Sequence, residues 1–167
     1  MIKFRLYDKT LDIDLDEWST ETYSNYYDIV HKYALFNETI SCLYNSYIQN
    51  PNQMGSIFDR IVVAIENDLK IAFLVINYFE DNNKKVLGIN PLLVNPKYIN
   101  KGYGTDVIKT IINQKGKMFG MNPDKLYAGI DINNIPSKSL FEKNGFKVVG
   151  KSDDEDFLYY EYEFNHR

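Results

Sequence analysis

A chain of 167 residues with one cysteine, Cys42, cannot build an intrachain disulfide framework. Its two histidines, His31 and His166, lie far apart and offer no metal-ligand spacing, so no metal is expected. Long apolar runs are missing as well. The stretch from Ile71 to Ile76 falls far short of the roughly 20 residues that a membrane-spanning helix needs. The start, Met1-Ile2-Lys3-Phe4-Arg5, lacks the apolar stretch and small-residue cleavage site of a signal peptide. These absences point to a cytoplasmic protein with no membrane partner. Positive charge is not in excess either: at a net charge of -4, the chain lacks the Lys and Arg surplus of a surface that tracks nucleic-acid phosphates. That acidity permits a cationic acceptor without demanding one.

Apolar residues at 44%, against 25% charged, are enough to offset chain entropy with a buried core. The length suits one domain over residues 1–167. Cys42 sits within Ile40-Ser41-Cys42-Leu43-Tyr44, where it reads as packing rather than as a nucleophile.

Lys3 to Tyr7 alternate polar and apolar and predict a first strand. Two helices are expected from about Thr20 to Tyr33 and from about Asn37 to Ile48, where aromatic and apolar residues recur at three and four. Ile61–Ile65 and Ile71–Phe79 are β-branched and aromatic runs joined through Asn67-Asp68, a turn-forming pair. Asp81-Asn82-Asn83-Lys84 leads into a fourth strand, Val86–Val94, in which Pro91 marks a bulge or bend. After Pro96 the period becomes 3.6, with Val107, Ile108, Ile111, Ile112 and Met118 on one helical face and Gly120 near the end. Leu126, Ala128, Ile130 and Ile132 alternate against Tyr127, Gly129, Asp131 and Asn133, a strand with one polar face. A short helix from Pro136 to Lys143 exits at Gly145, and strands near Phe146–Val149 and Phe157–Phe164 close the chain.

The segment Val94-Asn95-Pro96-Lys97-Tyr98-Ile99-Asn100-Lys101-Gly102-Tyr103-Gly104-Thr105 joins a strand to the longest apolar helix through two closely spaced glycines. Free N–H groups and the positive end of the helix dipole bind a pyrophosphate there, and glycine lets the backbone approach it. The same glycines also serve a tight strand-to-helix turn with no ligand. A dinucleotide fingerprint fails, because Val107 occupies its third glycine position and the preceding strands form a meander.

This segment resembles the GNAT superfamily signature Gln/Arg-x-x-Gly-x-Gly/Ala, which follows a strand ending Val-x-Pro-x-Tyr. Asn134-Ile135-Pro136-Ser137-Lys138-Ser139-Leu140-Phe141-Glu142-Lys143-Asn144-Gly145-Phe146 is similar to the family's Asn-x-x-Ala/Ser-x-x-Leu-Tyr-x-Lys-x-Gly-Phe segment. With the elements around them, the two motifs cover residues 60 to 164 in order. The resemblance implies an α/β fold: a mixed, mainly antiparallel sheet of six or seven strands, flanked by about four helices and splayed between strands 4 and 5. Residues 1–60 would then form the acceptor side and residues 61–164 the acetyl-CoA-binding core.

By the same resemblance, Leu92, Leu93 and Val94 pair with pantetheine like an added strand, and an N–H near Val94 polarises the thioester carbonyl. Asn100, Lys101, Gly102, Tyr103, Gly104 and Thr105 cradle the pyrophosphate. Asn134 and Ser137 reach the cofactor arm or cap their helix, and Lys101 and Lys143 meet phosphates or solvent. Two positions depart from the pattern. Ile99 replaces the usual Gln or Arg, in a loop that works through main-chain N–H groups. Phe141 replaces the tyrosine proposed to protonate the leaving thiolate, and its ring has no proton to give.

The implied activity is N-acetyl transfer from acetyl-CoA to a primary amine by direct attack, without a metal. Asp131 and Asn90 are the candidates to deprotonate the amine directly or through water. The aromatic residues Trp18, Tyr23, Tyr26, Tyr27, Tyr33, Phe36, Tyr44 and Tyr47 serve as core or as acceptor-pocket wall. A small-molecule amine and a peptide or protein amine both remain open as acceptor, as do monomer and homodimer. The alternative is a CoA-binding regulator without catalysis, motivated by Phe141.

Overall fold

The structure is a computed structural model that describes residues 1–8, 10–15, 18 and 58–165, with the backbone alone at 58–60, 90 and 91. Among the described residues, seven strands form one sheet: β1 (Lys3–Leu6), β2 (Phe58–Glu66), β3 (Leu69–Asp81), β4 (Lys84–Val94), β5 (Lys125–Asp131), β6 (Lys147–Lys151) and β7 (Phe157–Glu163). Their spatial order is β1-β2-β3-β4-β5-β7-β6. All neighbours are antiparallel except β4 and β5, which run parallel. Among the described residues there are two α-helices, α1 (Tyr103–Asn113) and α2 (Ile135–Lys143), and a 3-10 turn at Pro96–Tyr98. The two helices expected between Thr20 and Ile48 lie outside the described residues.

Both hairpins arise from local chemistry. β2 and β3 are joined by Asn67 and Asp68, with φ of 51° and 62°, and β3 and β4 by Asn82 and Asn83, with φ of 49° and 64°. Two consecutive left-handed residues make the turn whose twist matches the flanking strands, and Asn and Asp tolerate that backbone better than most residues.

The helix face Val107, Ile108 and Ile111 is buried, as its spacing predicts. The helix nevertheless ends at Asn113, before Met118 and Gly120. Lys115 takes φ of 55° and Gly116 of 65°, while the Gly116 N–H donates to Ile111 O at 2.8 Å and the Lys115 N–H to Ile112 O at 2.9 Å. These two bonds form a Schellman stop. Met118 is buried from a separate turn, so apolar spacing continues past the point where helical backbone ends.

One face of the sheet, with Leu74, Ile76, Leu87, Ile89, Leu126, Ala128 and Ile130, packs with α1 and α2 into the main core. The other face carries a second cluster in which Leu15 and Trp18 cover Ile61, Val63, Phe73, Val75 and Leu93. Tyr160 of β7 is fully buried, and its hydroxyl donates to Glu142 Oε1 at 2.7 Å, tying α2 to the sheet.

Candidate cofactor and acyl-transfer site

β4 and β5 pair over three rungs only: Val86 with Lys125, Leu87 with Leu126 and Gly88 with Tyr127. Beyond the Gly88–Tyr127 rung β4 continues to Val94 and β5 to Asp131 without pairing, so the two strands splay. The β3–β4 register shifts where Val75 faces both Asn90 and Pro91, which is the irregularity that Pro91 predicts.

This bulge sets the direction of the backbone past it. The Asn95 N–H donates to Ile71 O of β3 at 2.8 Å. Successive residues of a strand point their N–H groups to opposite sides. Those of Val94 and Leu92 therefore point away from β3, into the gap that β5 has left. Such an edge accepts an extended chain by main-chain hydrogen bonding.

The gap leads to the start of α1. Gly102 caps that helix at φ of 83°, without a side-chain cap, and the first helical bond runs from the Asp106 N–H to Gly102 O at 3.0 Å. The N–H groups of Tyr103, Gly104 and Thr105 precede that bond and have no intrahelical partner. A Cβ at Gly102 would meet nothing within 4 Å, so the space in front of these N–H groups is open. At Gly104 a Cβ would stand 3.4 Å from Leu140 Cδ2 and 3.6 Å from Val94 Cγ2. Gly104 is thus the point at which α1, α2 and the end of β4 approach each other. Open donors, a bare glycine and the helix dipole make this terminus fit a pyrophosphate.

The preceding loop is anchored on both sides. Asn95 is buried, its Nδ2 donating to Lys70 O at 2.9 Å while its Oδ1 accepts from the Lys97 N–H at 3.0 Å. Tyr98 and Tyr103 pack edge to face, ring centroids 5.8 Å apart, and the Lys101 ammonium lies 5.8 Å from the Tyr98 ring centre. Ile99 is exposed, and Asn100 takes φ of 64°. No role for Asn95 or Tyr98 is read from the sequence, although an Asn before Pro is a capping signal that marks Asn95.

On α2, Asn134 Oδ1 accepts from the Ser137 N–H at 3.2 Å, so the capping role of Asn134 is present. Phe141 is only 4% exposed and packs against Phe146. Lys143 is exposed at the C-terminal end of the helix, remote from Asn134. Asp131 is a correction to the expectation of a fully polar strand face: it is 4% exposed, and its Oδ1 accepts from the Asn133 N–H at 2.7 Å. The alternation breaks in the next residue too, since Ile132 is exposed, because the chain turns there into α2. The side chain of Asn90 lies outside the described residues.

Beside the last rung, Tyr127 packs near Phe79 and Tyr159, at 6.5 and 5.8 Å between ring centroids. Burial, with the neighbouring Tyr159 and Glu161, pushes its phenol up to about 12, so the hydroxyl stays protonated at neutral pH. A Cβ on Gly88 would fall 1.8 Å from Asn77 Oδ1, which shows the Asn77 amide lying over the Gly88 backbone.

Among the described residues no group of three His, Cys, Asp or Glu side chains is placed to hold a metal ion, and no helix is long and apolar enough to cross a membrane. The fold is shared with several solved structures. Campylobacter jejuni N-acetyltransferase PseH, in complex with acetyl coenzyme A, aligns at TM-score 0.61 and 18% identity over 99% of this chain and 100% of that one. A GNAT-family acetyltransferase from Streptococcus agalactiae aligns at TM-score 0.68 and 15% identity over 99% and 96%. The PaiA N-acetyltransferase of Thermoplasma acidophilum, in complex with coenzyme A, aligns at 0.60 and 20% over 98% and 99%. No curated protein matches the chain in sequence. The family model described as Acetyltransferase (GNAT) family matches residues 6–146, most of the length. The chain therefore belongs to the GNAT acetyltransferase family.

Proposed function

We propose that the protein is an N-acetyltransferase that moves an acetyl group from acetyl-CoA to a primary amine by direct attack on the thioester. The observation that carries this reading is the unpaired edge of β4 at Leu92–Val94, opening beside the uncapped start of α1. The N–H groups of Gly102, Tyr103, Gly104 and Thr105, with Asn100 and Lys101, hold the pyrophosphate. Leu92, Leu93 and Val94 align the pantetheine arm, with Asn134, Ser137 and Phe141 along α2, and Lys143 meets phosphates. Acetyl-CoA supplies the activated acyl group.

In this reading the Val94 N–H donates to the thioester carbonyl oxygen as negative charge develops there, an arrangement worth several kcal/mol when one such donor is lost. The acceptor ammonium must first lose a proton, since only the neutral amine has a lone pair. Asp131, or a water oriented by Asn90, takes that proton. The new C–N bond forms as the C–S bond breaks, the thiolate leaves with the bonding pair, and the nitrogen releases its second proton to solvent as the amide forms. Its pKa resembles that of a free thiol, about 8.5, so departure as an anion needs no acid at Phe141. Direct attack needs no protein nucleophile. The acceptor is a small-molecule amine or the amine of a peptide or protein, residues 1–60 shape its side of the site, and the chain acts in the cytoplasm as a monomer or homodimer.

The buried phenyl ring of Phe141, where the family usually has a tyrosine, favours a second reading: a CoA-binding regulator without turnover. Thiol release from acetyl-CoA across polyamines, aminoglycosides and peptides, with product masses, separates the two. Tight CoA binding with no thiol release from any acceptor establishes the regulator.

A further inference from the structure

The loop between the 3-10 turn and α1 must keep an unusual backbone before any ligand arrives, with left-handed residues at Asn100 and Gly102. Little main-chain bonding holds it. Among the described residues, the backbone bonds that flank this stretch are the Tyr98 N–H to Asn95 O at 2.8 Å and the Asp106 N–H to Gly102 O at 3.0 Å. Residues 99 to 101 fall between them. Among the described residues, the side chain of Tyr98 spans this gap. Its ring meets Tyr103, the first residue of α1, edge to face at 64°, and the Lys101 ammonium stands over it at 5.8 Å. The same ring packs on the main core, so it is itself held in place.

We infer that Tyr98 is a positioning residue for pyrophosphate binding: its ring holds the start of α1 through Tyr103 and steers Lys101, which the proposed function already places at the phosphates. The inference rests on the acetyl-CoA reading above. The edge-to-face ring pair and the cation over the ring each stabilise the loop beyond simple area burial. Both contacts use the ring and neither uses the hydroxyl. With the brace gone, the loop samples other conformations and binding must reorder it, which lowers apparent affinity by the populated fraction. The effect belongs to the phosphate end of the cofactor. It leaves the Leu92–Val94 edge, which lies beyond the Asn95 anchor, as it was.

The experiment is calorimetric titration of the full chain with coenzyme A and with pantetheine, which lacks the pyrophosphate. Tyr98→Leu is expected to weaken coenzyme A about tenfold, the sum of the two ring contacts, while pantetheine affinity stays unchanged. Tyr98→Phe should bind both like the native chain. Lys101→Gln should weaken coenzyme A and flatten its salt dependence. Where Tyr98→Leu does not fold, Tyr103→Leu removes the ring pair while leaving Lys101 over the Tyr98 ring, and gives a smaller loss with the same selectivity for coenzyme A over pantetheine. Native affinity in the leucine variant, equal losses for both ligands, or a Tyr98→Phe variant as weak as Tyr98→Leu each overturns the inference alone. A native chain that binds neither ligand overturns the acetyl-CoA reading and this inference with it.

Discussion

Phe141 and Phe146 meet edge to face, ring centroids 4.9 Å apart at 90°, across the turn that ends α2. The Gly145 N–H donates to Glu142 O and the Phe146 N–H to Phe141 O, each at 3.1 Å, and Gly145 takes φ of 89°. The ring pair is thus the apolar contact that accompanies a Schellman stop, and it locks the C-terminal end of α2 to the sheet.

Removing that ring is expected to cost about 3–5 kcal/mol, the range for a buried phenylalanine cut to alanine. Denaturant unfolding of Phe141→Ala measures it. Phe141→Tyr keeps the ring contact, and its coenzyme A affinity should be nearly unchanged, with turnover level or raised. If Phe141→Tyr loses coenzyme A binding while Phe141→Ala keeps it, the ring does not face the thioester.

Gly102 separates strain from occupancy. Its φ of 83° penalises any L side chain by about 1–2 kcal/mol, yet a Cβ there meets no atom within 4 Å. Gly102→Ala and Gly102→Glu should therefore lose similar stability in thermal unfolding. Only the glutamate should abolish coenzyme A binding, by placing a like charge against the phosphates. Undiminished coenzyme A affinity in a folded Gly102→Glu variant would remove the cradle.

Activity should rise toward alkaline pH, because an aliphatic amine with a pKa near 10 is mostly protonated at neutrality. Asp131→Asn retains an oxygen for the Asn133 N–H, so the turn survives. As the base, Asp131 should account for about 10²-fold of turnover near pH 7, a loss that narrows as the amine becomes neutral by itself. Full turnover with an unshifted pH profile would leave Asp131 as a turn-forming residue.

The N-terminal segment is fastened by charge. Asp12, buried, accepts two bonds of 2.6 Å from Arg5 and one of 2.8 Å from the Asp8 N–H, with Lys70 at 3.6 Å. Burial pushes its carboxyl up, but the Arg5 and Asp8 hydrogen bonds and the Arg5 and Lys70 charges outweigh it and hold the group below its usual range. A lowered folded pKa means stability that is complete above the unfolded value near 3.9 and is lost as pH falls through the folded one. Asp12→Asn should cost about 2 kcal/mol at neutral pH, given hydrogen bonds to a charged group and a partly exposed Arg5. Its unfolding free energy should also fall less steeply between about pH 4 and pH 2. An acid limb parallel to the native one would show that Asp12 titrates normally.

Local chemistry alone determined much of this protein. Asn67-Asp68 and Asn82-Asn83 specify two-residue hairpins because few other pairs take two left-handed residues in succession. Pro91 marks the β4 bulge because it has no N–H to donate, and Gly145 marks the end of α2 because its backbone must turn left-handed. The Gly102–Gly104 loop is readable for the same reason. What only the tertiary structure decided depends on residues far apart in the chain or on a backbone choice that side-chain spacing does not encode. Lys115 ends α1 in a left-handed conformation that lysine seldom adopts, so the apolar pattern overruns the helix. Asp131 is buried at the turn into α2, where its carboxylate accepts from the Asn133 N–H, and a period-two pattern carries no information about that turn. The unpaired β4 edge exists because β5 diverges after the Gly88–Tyr127 rung, and pairing of that kind is settled by how two sheet halves pack, not by the sequence of either strand.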